Sequence, residues 1–446
     1  MKKSIKILLW SIVIVLILGI AAGAFWWLRK PQIITFDSGD KLTLLAVDYG
    51  KKHTPPGTKP TTNTTARVRG RAGGPFTTPT DTLVLWVKQE HDPQQYAYFQ
   101  YYLYDESGTA CAQAYGGGGG NNQASEVVNI QFPAFPRRHG KLIVRVQEQS
   151  NGGQEMSAQK FVIRNPARKS YPIWTAEPLP ATKEDDDFSV TLTKLVSGVA
   201  MPYQREQDDA DDAANKGVQL TFHAQRGGND VTNWEPVSVE TTDATGNQMN
   251  GGVAKNEWLG NEDTAVYQYG LWPDEAAWKL RVEFSKQSGF DDSEIWTMKN
   301  IPLVAGRQMD FWNFYNRRAA QTNAANKVFA ETDLKGVHLK IFPATQFTDM
   351  NMGNGQMSGG LHIQATPSLP SGMRLTFVSL TDDQGQDIQN YNSGSSGNGK
   401  SMTYGYQLQN IAGVTNINVT IALHQSHFIE FTAKPEKAPK DAAPAQ

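Results

Sequence analysis

A turn that recurs on a fixed period limits most strongly what this chain can fold into. Asp105-Glu106-Ser107-Gly108 returns as Asp243-Ala244-Thr245-Gly246 and again as Asp382-Asp383-Gln384-Gly385, at steps of 138 and 139 residues. Aspartate at the first position can accept from a backbone amide two residues on, and glycine at the last tolerates positive φ. A second landmark keeps the same step. Strongly alternating segments begin at Leu142, Leu280 and Ile417, 35 to 37 residues after each aspartate. Two landmarks in register predict one β unit used three times.

Within each unit apolar residues recur at every second position. Val128, Ile130 and Phe132 alternate with Asn129 and Gln131, and Leu142, Val144 and Val146 follow the same rule. The second unit repeats it in Val218, Leu220, Phe222 and in Leu280, Val282, Phe284. The third has Val337, Leu339, Ile341, then Leu361, Ile363, Ala365, and last Ile417, Val419, Ile421, Leu423. Phe161-Val162-Ile163, Ile295-Trp296-Thr297-Met298 and Phe428-Ile429-Glu430-Phe431 are expected to close the three units in turn. Strands with one wet and one buried face belong to antiparallel sheets, and a half-apolar sheet needs a second sheet to cover it. The expected fold is all-β, with three tandem antiparallel sandwiches over residues 32–167, 183–304 and 333–435 and a disordered tail over 436–446. Two segments depart from the pattern: 311–329 has a helical stripe in Phe311, Phe314 and Tyr315, and 204–216 is acidic.

In strand number, size and tandem use these units resemble the immunoglobulin and fibronectin type III class. The plan as a whole resembles bacterial single-pass membrane proteins that carry such repeats. The Cys…Trp…Cys signature of true immunoglobulin domains is absent, so the strand order implied by the resemblance is an analogy. Cys111 is the one cysteine, which excludes an internal disulfide; between Ala110 and Ala112 it reads as a small buried hydrophobe, with an intermolecular disulfide as the alternative.

Residues 1–7 form a basic head, and 8–28 run without a charge. At about 1.5 Å per residue such a run spans a hydrocarbon core of about 30 Å. Trp26 and Trp27 sit where an interfacial aromatic belt would lie, and Arg29-Lys30 closes the span. Lys2, Lys3 and Lys6 place the head in the cytoplasm and the bulk outside it, periplasmic or extracellular. The alternative is a signal peptide cleaved at Ala22-Gly23-Ala24, though Phe25-Trp26-Trp27 carries the apolar run past that site.

Sites for chemistry are sparse. With 42 basic and 44 acidic residues, no net field draws the chain to nucleic acid. His223 and His362 fall on the polar phase of their strands and are expected to face solvent. His424 and His427 have metal-like spacing but converge only if Gln425-Ser426 makes a hairpin tip. Glu206, Asp208, Asp209, Asp211 and Asp212, and the run Glu184-Asp185-Asp186-Asp187, offer oxygen ligands without a calcium-loop motif. Gly116 to Gly120 has no helix after it to bind phosphate, and neither a Gly-x-Ser-x-Gly elbow nor a His-Glu-x-x-His occurs. The expectation is a non-catalytic, cofactor-free interaction or scaffold protein on a membrane anchor, its partner a protein or an envelope polysaccharide. Weak candidate contacts are Trp312, Phe314, Tyr315 and the loop 53–80. The alternative is a carbohydrate-binding or envelope-processing accessory, which a row of solvent-facing aromatics would mark.

Overall fold

The computed structural model describes residues 31–57, 75–90, 98–106, 110–113, 125–149, 155–200, 216–255, 263–268, 270–305, 327–348, 357–397 and 399–438. The apolar run 8–28, the acidic segment 204–216 apart from its last residue, the glycine run 116–120, most of the loop 53–80 and Trp312, Phe314 and Tyr315 lie outside the described residues. So does the helical stripe of 311–329, except its last three residues. Among the described residues the chain is all-β, with a short 3-10 turn at Asp292–Glu294 as its helical element. No helix among them is long and apolar enough to cross a membrane.

The first core lies between two four-stranded antiparallel sheets. One holds β1 (Gln32–Thr35), β2 (Lys41–His53), β3 (Phe76–Glu90) and β6 (Ser125–Phe132) in that order. The other runs β5 (Ala110–Gln113), β4 (Tyr98–Tyr104), β7 (Lys141–Gln149), β8 (Glu155–Arg164). Leu142, Val144 and Val146 from one sheet meet Leu83, Leu85, Ile130 and Phe132 from the other. Strand β3 departs from simple alternation: Val84 and Trp86 are as buried as Leu83 and Leu85, with Phe76 packed on Trp86. Cys111 falls in β5, and its side chain lies outside the described residues.

The second core is wrapped by one continuous sheet. Strands β10 (Phe188–Ala200), β11 (Lys216–Arg226) and β15 (Thr264–Gln268) form one side; β13 (Trp234–Asp243), β14 (Gln248–Lys255) and β16 (Trp278–Lys286) form the other, joined where β14 pairs β15. Short strands β9 (Ala181–Asp185) and β12 (Asn229–Asp230) flank β10 and β11. The third core is enclosed by β17 (Ile295–Ala305), β18 (Ala330–Leu334), β19 (Val337–Ile341), β20 (Ala344–Thr348), β21 (Met357–Thr366), β22 (Met373–Asp382), β23 (Asn390–Gly397), β24 (Met402–Leu408) and β25 (Asn416–Gln425). The chain then returns to the second sheet as β26 (His427–Ala433) and β27 (Glu436–Lys437).

The repeat is visible in the pairing. The strand that leads into each Asp-x-x-Gly turn pairs with the alternating strand of its unit: β4 with β7, β13 with β16, β22 with β25. The turn itself is built alike in the two copies that are described throughout. Asp243 accepts from the amides of Thr245 and Asn247 at 2.8 and 3.1 Å; Asp382 accepts from those of Gln384 and Gln386 at 2.8 and 2.7 Å. Gly246 and Gly385 close the turns at φ of +89° and +80°.

The closing strands differ from the expectation. Ile295–Ala305, read as the last strand of the second unit, pairs antiparallel with β25 and packs Met298 and Ile301 into the third core. Residues 428–431, read as the last strand of the third unit, belong to β26, which pairs antiparallel with β16 and packs Ile429, Phe431 and Ala433 into the second core. The two segments are exchanged. The connections supply a physical reason: Ser426 alone separates β25 from β26, and tight hairpins need about two residues to reverse the chain. The chain therefore cannot fold back beside β25 and crosses into the neighbouring sheet. Of the tail expected to be disordered over 436–446, Glu436 and Lys437 pair in parallel with Val196 and Ser197 of β10, and residues 439–446 lie outside the described residues.

Candidate functional site

Two junctions link the three cores, and a cleft opens beside the second. At the first junction, the connection between β6 and β7 grips the Asp243 turn. The buried Arg137 guanidinium donates to the carbonyls of Thr245 (2.9 Å) and Asp81 (2.8 Å). The Asn247 side chain accepts from the Phe135 amide at 3.2 Å and donates to its carbonyl at 2.8 Å, as a strand neighbour would. Arg138 donates to both oxygens of Glu275 at 2.8 and 3.1 Å. Burial pushes the Glu275 carboxyl up despite those bonds.

At the second junction both crossing segments run side by side. His424 is buried, with Nε2 2.9 Å from Ser285 Oγ and its ring against Phe290 at 5.1 Å. Burial holds its imidazole down at about 4. His427 stacks on Phe188 at 4.7 Å and places Nδ1 3.0 Å from Asp185 Oδ2, an oxygen that also accepts from the Phe428 amide. The histidines are thus drawn to different partners, and Gln425-Ser426 is a crossing, not a hairpin tip. Asp187 accepts from Arg226 at 2.8 Å, so two acids of the 184–187 run tie strands together. Among the described residues no group of three or more His, Cys, Asp or Glu is placed to hold a metal ion.

The cleft has a volume of about 450 Å³. One wall is the outer face of the second sheet, with Ser238 and Glu240 of β13, Asn250 of β14 and Arg281 and Glu283 of β16. The other wall is the start of β22, Met373 to Leu375, with Tyr404 and Tyr406 of β24 behind it. Arg374 donates through Nε and Nη2 to the two oxygens of Glu283, and Ser238 donates to the same carboxylate at 2.8 Å. Burial of Glu283 opposes its ionisation, but these donors outweigh it and hold the carboxyl below its usual range. Arg281 stacks over the Phe428 ring at 3.8 Å, and Glu240 accepts from Gln248 at 2.7 Å. The Phe428 ring also requires Gly372, where a Cβ would come within 2.5 Å of it. Two guanidinium groups and two carboxylates leave the walls electrically neutral, with polar groups on one side and half-covered apolar groups on the other.

Sequence reasoning named none of the cleft residues as a site. His223, expected in solvent, is partly exposed and lies 2.9 Å from Asp230. His362, expected beside it in character, is mostly covered, and burial holds its imidazole at about 4; the polar phase of β21 is not a free surface. No family model matches the chain, and no curated protein sequence matches it.

Proposed function

We propose that the chain is a membrane-anchored, extracytoplasmic interaction protein without catalytic activity, built of three immunoglobulin-like sandwiches in a stiff row. Residues 8–28 anchor it and the sandwiches stand outside the cytoplasm. The third sandwich is inserted in the second, between β16 and β26. The observation that supports this reading is the pair of specific junctions, one a polar latch and one a double strand crossing, each of which fixes its neighbours' orientation. A protein that merely tethered independent domains would need neither. Loops and edges held on a rigid scaffold are where recognition usually resides.

The carbohydrate-binding reading has less behind it. Among the described residues the exposed large apolar side chains include the aromatics Tyr98 and Phe329, on strands of different sheets or their approaches, and not a row on one face. Two experiments test the proposal. Reporter fusions at the C-terminus are expected to be active with an exported reporter and silent with a cytoplasmic one. Mild cross-linking of detergent extracts is expected to recover a reproducible protein partner; the intact chain recovered alone, over repeated preparations, overturns the interaction role.

A further inference from the structure

In the first two cores the strand leading into the repeated turn is covered along its outer edge by the strand that follows the turn. β5 pairs β4, and β14 pairs β13 over Ser238–Thr242. The third core breaks this rule. Its corresponding strand, β23, pairs with β24 in the opposite sheet, so β22 ends its sheet with no strand along Met373–Ser379 among the described residues. β22 is tied at its two ends: the Met373 amide donates to the Pro370 carbonyl at 3.0 Å and the Ile388 amide to the Leu380 carbonyl at 2.9 Å, with a bridge between Thr381 and Asp387.

The uncovered edge also leaves the third core ajar. Met373, Leu375, Phe377 and Tyr404 pack against that core yet stay partly exposed, and Val378 is 43% exposed. The cleft of about 450 Å³ lies along this edge. An open strand edge presents backbone N–H and C=O groups at regular spacing, which another polypeptide main chain can satisfy in full. A sugar or a small anion cannot match that repeat.

We propose that the cleft binds an extended polypeptide segment, which adds to β22 as an antiparallel strand. Its main chain pairs with Leu375–Phe377, since the Met373 amide is already bonded to the Pro370 carbonyl. An apolar side chain of the segment covers Leu375 and Tyr404, and its polar side chains face Ser238, Glu240 and Asn250 across the cleft. The proposal deepens the interaction role, on which it rests, by naming where a partner enters and in what conformation.

The test uses the full chain in detergent micelles and an amidated peptide copying Gln248–Lys255, the strand that covers the corresponding edge of the second core. Saturable binding is expected, with slowed amide exchange over residues 371–378. Leu375→Lys is expected to weaken binding about tenfold or more, since it places a charge at the apolar wall. Because Leu375 also packs on the core, Asn250→Trp serves as a second variant; Asn250 is exposed, and the larger side chain fills the cleft from the opposite wall. The absence of slowed exchange over 371–378 at millimolar peptide overturns the proposal. So does protection confined to another region, or protection already present because two copies pair there. A cellular partner captured equally by the wild type and by Asn250→Trp retires this site and leaves the interaction role standing.

Discussion

The two junctions hold neighbouring cores together by different means. The first is made of side chains: Arg137 and Asn247 take up backbone groups of Thr245, Asp81 and Phe135. The second is made of main chain, with β17 and β26 each crossing to complete the other core. A side-chain latch can be opened by one substitution, because a few buried hydrogen bonds carry it. A strand crossing cannot, because its stability is spread over a ladder and over buried residues at both ends. The repeated turn sharpens the contrast. Around Asp243 it is buried in the first junction, whereas around Asp382 the same turn is open to solvent.

The largest effect is expected from ending the chain after Ser426. This removes Ile429 and Phe431 from the second core, a loss of more than about 5 kcal/mol by the cost of large-to-small core changes. Limited proteolysis should then cut within 181–286, and the added peptide 427–438 should restore protection. Next comes Arg137→Ala, which strands the buried Thr245 carbonyl and the part-buried Asp81 carbonyl and is expected to cost about 2–4 kcal/mol. Calorimetry should show the single transition separating into two as the first core uncouples. Glu283→Gln weakens the tie across the cleft; since Arg374 is part-exposed, the expected loss is about 1–2 kcal/mol in chemical denaturation.

Acid should act on the second junction and on the third core, through His424 and His362, before it acts on the first junction. His424 and His362 are both held near 4 by burial, against about 6.5 in an unfolded chain. The unfolded state therefore binds more protons between these values, so stability is lost as pH falls from about 6.5 towards 4. Near His424 the carboxylates Glu294 and Glu283 partly favour its charged form, while Lys286 and Arg374 oppose it. His424→Gln should remove roughly half of the melting-temperature slope over that range, with His362 supplying the rest. The smallest effect is expected from Asp382→Ala, about 1 kcal/mol for two exposed amide bonds. Asp243→Ala should exceed it, since Asp243 is buried and also accepts from the side chains of Thr245 and Asn247.

Much of this architecture is legible in the residues. Alternation marks Leu142, Val144 and Val146, and likewise Leu280, Val282 and Phe284, as core, and each is buried. The Asp-x-x-Gly spacing finds the turns and their hydrogen bonds. What alternation cannot record is the partner: a period of two says which side chains face inward, not which sheet a strand joins. Ile295–Ala305 and His427–Ala433 both read as strands, and either order of pairing fits their patterns. The one-residue connection at Ser426 shows only in the structure, because in the sequence residues 424–427 separate the two apolar runs and leave room for a hairpin. The first junction left a fainter trace. Phe135-Pro136 is followed by Arg137-Arg138, and one repeat later Trp272-Pro273 is followed by Asp274-Glu275, so charges of opposite sign stand at matching places. The cleft had no trace, because an uncovered edge is a property of pairing alone.

The exchange of closing strands is tested most directly by paired cysteines in a Cys111→Ser background. Lys279 and Thr432 are cross-strand partners between β16 and β26, and Thr297 and Thr420 between β17 and β25. Lys279→Cys with Thr432→Cys, and separately Thr297→Cys with Thr420→Cys, should each oxidise to an intramolecular disulfide in the monomer without loss of stability. Failure of both pairs to close in the folded monomer would contradict the exchange.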